Sequence, residues 1–361
     1  MTAEPPNLDR YHRQMILPGV GEAGQRRLLA SHALLIGCGA LGSTVADLLC
    51  RAGVGTITIV DRDLVELTNL QRQALYTEAD ARDALPKPIA AQRRLATVNS
   101  TVRIRPVCDD FHPGNAEEIA SDLPDAPPVG VVIDGTDNFE TRYLCNDLAV
   151  SLGVPFVYAG AVATGGMTMT VVPGVTPCLR CVFEQMPDPA TAATCDTAGV
   201  LGPAVTVIAS IEAGEAIKIL AGAADAIAPR LLQIDLWTNE VRSISLAGAR
   251  RDVCPCCGHE EFEFLDGAKA SVARTLCGRN SVQVAPASRD ATIDLDALAA
   301  RLAPHGAFTM DDFLLRGALA RERNSAGEPL GLAVFPNGRA IISGTTEQSV
   351  AKTIYARYIG A

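Results

Sequence analysis

A chain of 361 residues, 48% apolar and 20% charged, is long enough for one large α/β domain and a smaller companion, each with its own core. A net charge of −10 with no basic stripe excludes a general nucleic-acid binder, because nothing offsets phosphate repulsion. No run of 18 apolar residues and no cationic, apolar leader is present, so the composition points away from the membrane and to the cytoplasm.

Strand-like runs alternate with helix-like ones through the first 160 residues. "HALLIG", "GTITIVD", "VRIRPV", "GVVIDG" and "PFVYAG" are separated by segments such as "ALGSTVADLLCRAG", whose last glycine suits a helix stop. This alternation predicts a Rossmann-like, doubly wound, mostly parallel sheet. Next, "GGMTMTVVPG", "RLLQIDLWT" and "EVRSISLAG" show a period of two around a long helix near 202–220, which predicts an antiparallel extension. Glu212, Glu215 and Lys218 recur on one side of that helix, as in a buried helix of a soluble protein. The only tryptophan, Trp237, falls in a predicted strand and reads as core or interface.

The pattern resets near 266–271, dividing the chain into 1–268 and 269–361. The second part shows a strand "SVQVAP", a helix "LDALAARLAP", a hairpin "AVFPNGRAIISG" turning at Asn337-Gly338, and a last helix "EQSVAKTIYARYI". That is a small α+β domain to which the sequence assigns no role; partner docking and dimer support both suit it. Its one cysteine, Cys277 in "TLCGRNS", lacks a rhodanese-like loop.

The first strand ends in Gly37-x-Gly39-x-x-Gly42, and Asp61 ends the next strand. A glycine loop at a helix N-terminus lets backbone N–H groups approach phosphates while a carboxylate takes ribose hydroxyls. On this evidence alone an NAD-dependent oxidoreductase is a competing reading. The following stretch, "DRDLVELTNLQRQALYTEADARDALPKPIAAQ", differs: it places Asn69, Arg72 and Lys87 where they can surround a polyphosphate. An Arg fork and a Lys point charge both stabilise negative charge that builds as a phosphorus–oxygen bond breaks.

Six separated motifs, "RYHRQMILPG", "GCGALGS", "VDRDLVELTNLQRQ", "KPIAA", "DGTDN" and two cysteine pairs, occur in an order that resembles the ThiF/MoeB/HesA family of activating enzymes, related to the ubiquitin-activating enzymes. The likeness covers about residues 8–262 and is strongest to the ThiF branch. It implies an adenylyltransferase. In the implied reaction the C-terminal Gly-Gly carboxylate of a ubiquitin-like sulfur carrier attacks the α-phosphate of ATP and releases pyrophosphate, in thiamine, molybdopterin or related sulfur transfer. It further implies that Asp61 and Asp63 lie in the nucleotide site, with Asp61 on the ribose. Asn69, Arg72 and Lys87 would bind the phosphates and Asp137 the Mg²⁺. Arg13 would reach the ATP of the other protomer of a homodimer. A cysteine desulfurase or other sulfur donor is a further implied partner. A non-catalytic scaffold that keeps the fold is disfavoured by the presence of Arg13, Arg72, Lys87 and Asp137 together.

The 11 cysteines, in a reducing compartment, read as metal ligands or working thiols before disulfides. Cys178 and Cys181 form one CxxC knuckle and Cys254 and Cys257 another. Two such knuckles can surround one structural Zn²⁺. Their separation is much longer than in a zinc ribbon, so spacing alone leaves the question open, with Cys256 and His259 as substitute ligands; the family resemblance favours zinc. Cys195, in "TATCDTAGVLGP", has two readings. By itself it is a small buried residue; ahead of a helix N-terminus, and in a segment resembling the family's crossover loop, it is a reactive thiol in sulfur transfer. Cys38, Cys50, Cys108 and Cys145 read as packing residues, and His12 as a surface residue.

Overall fold

The protein is described from a computed structural model covering residues 8–121, 124–187, 195–268, 280–284, 292–311 and 313–360, without the side chains of Cys195 and Asp196. The chain divides into two compact units, Met1–Ala270 and Ser271–Ala361.

The first unit is built on eight strands: β1 (His32–Ile36), β2 (Thr56–Val60), β3 (Arg103–Val107), β4 (Val131–Asp134), β5 (Phe156–Val162), β6 (Gly165–Val171), β7 (Arg230–Asp235) and β8 (Glu240–Ser245). They lie in the order β3-β2-β1-β4-β5-β6-β7-β8, parallel from β3 to β5 and antiparallel beyond. This is the doubly wound sheet with an antiparallel extension that the sequence predicts. β1, β2 and β4 are buried along their whole length, which is why they read as unbroken apolar runs. Successive residues of β1 serve opposite faces. Ala33 and Leu35 join a core with Val45, Leu49 and Ile208, and Leu34 and Ile36 join another with Tyr143, Leu148 and Phe156. The helices Ala40–Ala52 and Gly202–Leu220 cover the first face and Phe139–Leu152 the second. The order reverses between β1 and β4, so the loops leaving these two strands meet at the carboxyl edge of the sheet, where such folds bind ligands.

Trp237 is neither in a strand nor in the core. It sits in the turn between β7 and β8 and is 76% exposed. Asp235 accepts hydrogen bonds from the Trp237 and Thr238 N–H groups, and Asn239 has φ +57°, so the chain reverses before the tryptophan can continue β7.

The second unit has its own core, including Val282, Leu298, Leu332, Ile342 and Tyr355. Its antiparallel sheet has the order β10-β11-β12-β13-β9, with β9 (Ser281–Val284), β10 (Gly306–Met310), β11 (Leu315–Arg323), β12 (Pro329–Val334) and β13 (Ala340–Ser343). The hairpin at Asn337-Gly338 is present, with Gly338 at φ +80°. The helices Leu295–Leu302 and Gln348–Tyr358 also form; β10 and β11 are strands that the sequence reading missed. Cys277 lies outside the described residues. No helix among the described residues is long and apolar enough to cross a membrane.

Candidate active site and metal centre

The glycine loop connects β1 to the helix Ala40–Ala52, and its three glycines are required for different reasons. Gly37 has φ +86°, and a side chain there would lie 2.7 Å from the Gly135 carbonyl oxygen; at Gly42 it would lie 2.0 Å from the Gly37 oxygen. Both are therefore held by close backbone packing. At Gly39 the nearest atom is the Gln73 amide nitrogen, 3.8 Å from where a Cβ would stand. The protein leaves this place open, at the first turn of a 13-residue helix whose N–H groups favour an anion.

Asp61, at the end of β2, faces the loop. Its Oδ2 accepts from Cys38 N–H (2.7 Å) and its Oδ1 from Asp63 N–H (2.7 Å), which leaves each oxygen a lone pair for a hydroxyl donor. Burial pushes its carboxyl above the usual range, opposed by Lys87. Tyr76 donates to the Cys38 carbonyl (2.6 Å), fixing the loop from below. Lys87 opens the helix Lys87–Val98, and its backbone N–H donates to the Asp63 carbonyl (2.9 Å) while its Nζ pairs with Asp63 Oδ2 (3.0 Å). Only 2% of this lysine is exposed, so its charge is aimed by the fold. Asn69 is buried and its Oδ1 accepts from Glu66 N–H (3.1 Å), closing the short 3-10 turn Leu67–Asn69. Arg72 follows on the same turn, half-buried, with one Nη on the Thr68 carbonyl (3.0 Å).

The loop after β4 carries two aspartates with different fates. Asp134 is fully buried; its Oδ1 accepts from the N–H and the hydroxyl of Thr136 (2.9 and 2.7 Å), and its Oδ2 lies 3.2 Å from Arg142 Nε. Arg142 donates to the Thr136 carbonyl (2.9 Å) and lies over the rings of Phe139 and Tyr158. Burial, opposed by Arg142 and Thr136, pushes the Asp134 carboxyl up to about 6. This clamp fixes the loop and leaves Asp137 exposed at its tip. Arg142 is a site residue the sequence reading missed; its spacing after "GTDN" was the available signal.

Glu212 was also missed in this role. It is fully buried on the helix Gly202–Leu220, and neither carboxylate oxygen has a hydrogen-bond partner. Burial, with Asp134 adding to it and Arg142 opposing, pushes its pKa well above the usual carboxylate range. An acid whose pKa is higher folded than unfolded costs nothing at low pH and destabilises increasingly as pH rises from its unfolded value, about 4.3, towards the folded one. Glu212→Gln keeps the shape and removes the charge. It is expected to raise the melting temperature by about 3 °C or more at pH 8 and to change it little at pH 4.5. Equal effects at the two pH values would exclude the charge as the cause.

Arg13 lies exposed on the short helix His12–Met15, beside Ile16 and Leu17, which are 61% and 55% exposed. His12 is exposed too. The backbone of Cys195 opens a four-residue helix, Cys195–Ala198, seven residues ahead of the long helix Gly202–Leu220. The segment after this short helix is anchored near the site: Ala163, past β5, exchanges bonds with Gly199 (2.9 Å) and Leu201 (2.7 Å), and a side chain at Gly202 would meet the Gln71 carbonyl at 2.8 Å.

The two CxxC knuckles come together. The sulfurs of Cys178, Cys181, Cys254 and Cys257 all lie within 4.8 Å of one another. Individual separations are 3.9 Å (Cys178–Cys181), 3.6 Å (Cys178–Cys254) and 3.4 Å (Cys181–Cys257). Four sulfurs bound tetrahedrally at about 2.3 Å stand about 3.8 Å apart, so the cluster has the dimensions and donor set of a closed zinc site. Cys256 is outside this group, buried, and accepts from Asn146 Nδ2 (3.2 Å). Cys38, Cys50 and Cys145 are buried, with burial pushing Cys38 up to about 12 and Cys50 up to about 11. Cys108 is only half-buried.

Residues 11–256 match the ThiF family. The chain belongs to it. Among curated relatives, the sulfur carrier protein ThiS adenylyltransferase of Bacillus subtilis (strain 168) is 40% identical over 352 residues, spanning 97% of this chain and 99% of that protein. The sulfur carrier protein adenylyltransferase of Thermus thermophilus is 40% identical over 266 residues, 72% of this chain and 94% of that one. The solved structure of E. coli MccB with ATP shares the fold, with a TM-score of 0.55 and 23% identity over 65% of this chain and 69% of that one. For this ThiF-family chain the first relative's match runs through both compact units.

Proposed function

We propose that this ThiF-family protein is an ATP-dependent adenylyltransferase acting on the C-terminal carboxylate of a ubiquitin-like sulfur carrier ending in Gly-Gly. The observation that carries this reading is the 40% identity, along nearly the full length of both chains, to a ThiS adenylyltransferase. The geometry agrees with it. ATP phosphates fit the open place at Gly39, ribose hydroxyls the remaining lone pairs of Asp61, and the polyphosphate the cations Lys87 and Arg72, with the Asn69 amide as a further donor. The carrier carboxylate attacks the α-phosphorus. The bond to the bridging oxygen breaks and pyrophosphate leaves, giving an acyl-adenylate. The nucleophile is already ionised, so positioning and charge neutralisation supply most of the catalysis.

The exposed carboxylate of Asp137, held out by the Asp134–Arg142 clamp, would hold Mg²⁺, which screens phosphate charge when bound. Zinc in the four-cysteine cluster would be structural. Arg13 would act across a homodimer, and the apolar Ile16 and Leu17 exposed beside it suit a covered surface. Thiamine biosynthesis is the pathway favoured by the ThiS relative, with a cysteine desulfurase or similar donor supplying sulfur in the cytoplasm.

The test is ATP–pyrophosphate exchange with and without a carrier ending in Gly-Gly. Exchange that depends on the carrier is the expected result; ATP binding with no exchange would leave only a scaffold. Cys195→Ser separates the next step. Because adenylation uses no thiol, the variant is expected to keep exchange within about threefold while losing thiocarboxylate formation or any covalent carrier adduct. Mass spectrometry of the carrier reads this, and wild-type thiocarboxylate formation would leave Cys195 without a chemical role.

A further inference from the structure

Asn146 is fully buried midway along the helix Phe139–Leu152, and its side-chain amide touches both cysteine knuckles. Its Oδ1 accepts from the backbone N–H of Leu179 (2.8 Å), a residue inside the Cys178–Cys181 knuckle. Its Nδ2 donates to the sulfur of Cys256 (3.2 Å), inside the Cys254–Cys257 knuckle. These partners are 33 and 110 residues away along the chain, so one amide joins two segments that nothing local brings together. Two further bonds run the same way. Asp147 Oδ2 accepts from Phe264 N–H (3.0 Å), just beyond the second knuckle, and Arg180 of the first knuckle pairs with Glu263 (2.6 Å).

We propose that Asn146 is a positioning residue of the metal centre. It holds the knuckles at ligand spacing, so the four thiolates are preorganised before the ion binds. The inference rests on the zinc reading of the cysteine cluster. The physical argument is asymmetric. A neutral amide ties the two knuckles together without adding negative charge beside the thiolates, and its removal leaves the Leu179 N–H buried and unpaired while freeing one knuckle to move against the other. Groups of this kind, beyond the ligands themselves, set how long a metal is retained.

The experiment follows zinc release from the full-length protein to a chromophoric chelator, after elemental analysis of the wild type. Asn146→Ala is expected to release zinc at least about tenfold faster than wild type. Ile57→Ala, a cavity on β2 in the core on the other face of the sheet, serves as the control for general destabilisation; it is expected to change release by less than about threefold. Should Asn146→Ala not fold, Asn146→Asp keeps the acceptor for Leu179 and removes the donor to Cys256, and it is read in the same way with a smaller acceleration. Release at the wild-type rate, or no faster than in Ile57→Ala, overturns the role of Asn146 while leaving the zinc site standing. Wild-type protein without zinc overturns both.

Discussion

Lys87→Ala is expected to lower carrier-dependent ATP–pyrophosphate exchange by about a hundredfold, the scale of losing one preorganised donor to a developing oxyanion. The size comes from how the lysine is held. It is almost wholly buried, its backbone is tied to the Asp63 carbonyl, and its Nζ stands 3.0 Å from Asp63 Oδ2, so little reorganisation is needed when phosphate charge builds. The loss should fall on kcat more than on KM for ATP, because the charge that needs neutralising grows towards the transition state. Lys87→Arg should restore little, since a planar fork does not fit a place shaped for a compact ammonium. Arg72→Ala is expected to act in the same range. Exchange within threefold of wild type, in folded Lys87→Ala and Arg72→Ala alike, would remove both from the phosphate site.

Cys178→Ala is expected to leave the purified protein with well under one zinc and to lower its melting temperature by about 10 °C or more, since binding energy at a structural tetrathiolate is folding energy. Cys178 is buried with its sulfur between those of Cys181 and Cys254, so no other cysteine of the set can take over without moving a knuckle. Cys256→Ser is the matched comparison. Its thiol is just as buried but lies outside the four-sulfur group, and a hydroxyl can still accept from Asn146. It should keep full zinc. Elemental analysis and thermal melts of the two variants test the ligand set, and zinc loss from Cys256→Ser instead would exchange the assignments.

Much of the first unit was legible because its signals are local. β1, β2 and β4 are apolar runs buried on both faces, and the glycine loop and Asp61 announce themselves by spacing, whereas the two knuckles could be joined into one site only through the family resemblance. What escaped depends on contacts that periodicity does not show. β11 carries "LRGALARER", a run of good helix formers that is a strand only because β10 and β12 pair with it on either side. Trp237 looked like part of a strand because its neighbours alternate, but the carboxylate of Asp235 had already turned the chain. Glu212 and Glu215 looked equivalent in the helical pattern. Only the fold separates them: Glu215 finds Lys218 and Thr170, and Glu212 is left unpaired near Asp134 and Arg142. The Asn146 bridge was invisible for the same reason, since neither motif nor periodicity names a partner a hundred residues away; the Arg142 clamp is local, and its spacing after "GTDN" went unread.

The packing of Gly37, Gly42 and Gly135 also limits how the enzyme can move. A single carbonyl oxygen, that of Gly37, lies 2.0 Å from where a Cβ at Gly42 would stand and 2.3 Å from where one at Gly135 would stand. The loops after β1 and β4 are thus wedged against each other at the backbone, without the slack that a hinge requires. This floor is expected to stay fixed through turnover. If nucleotide binds at Gly39 as proposed, it meets a floor built from two backbone segments in direct contact.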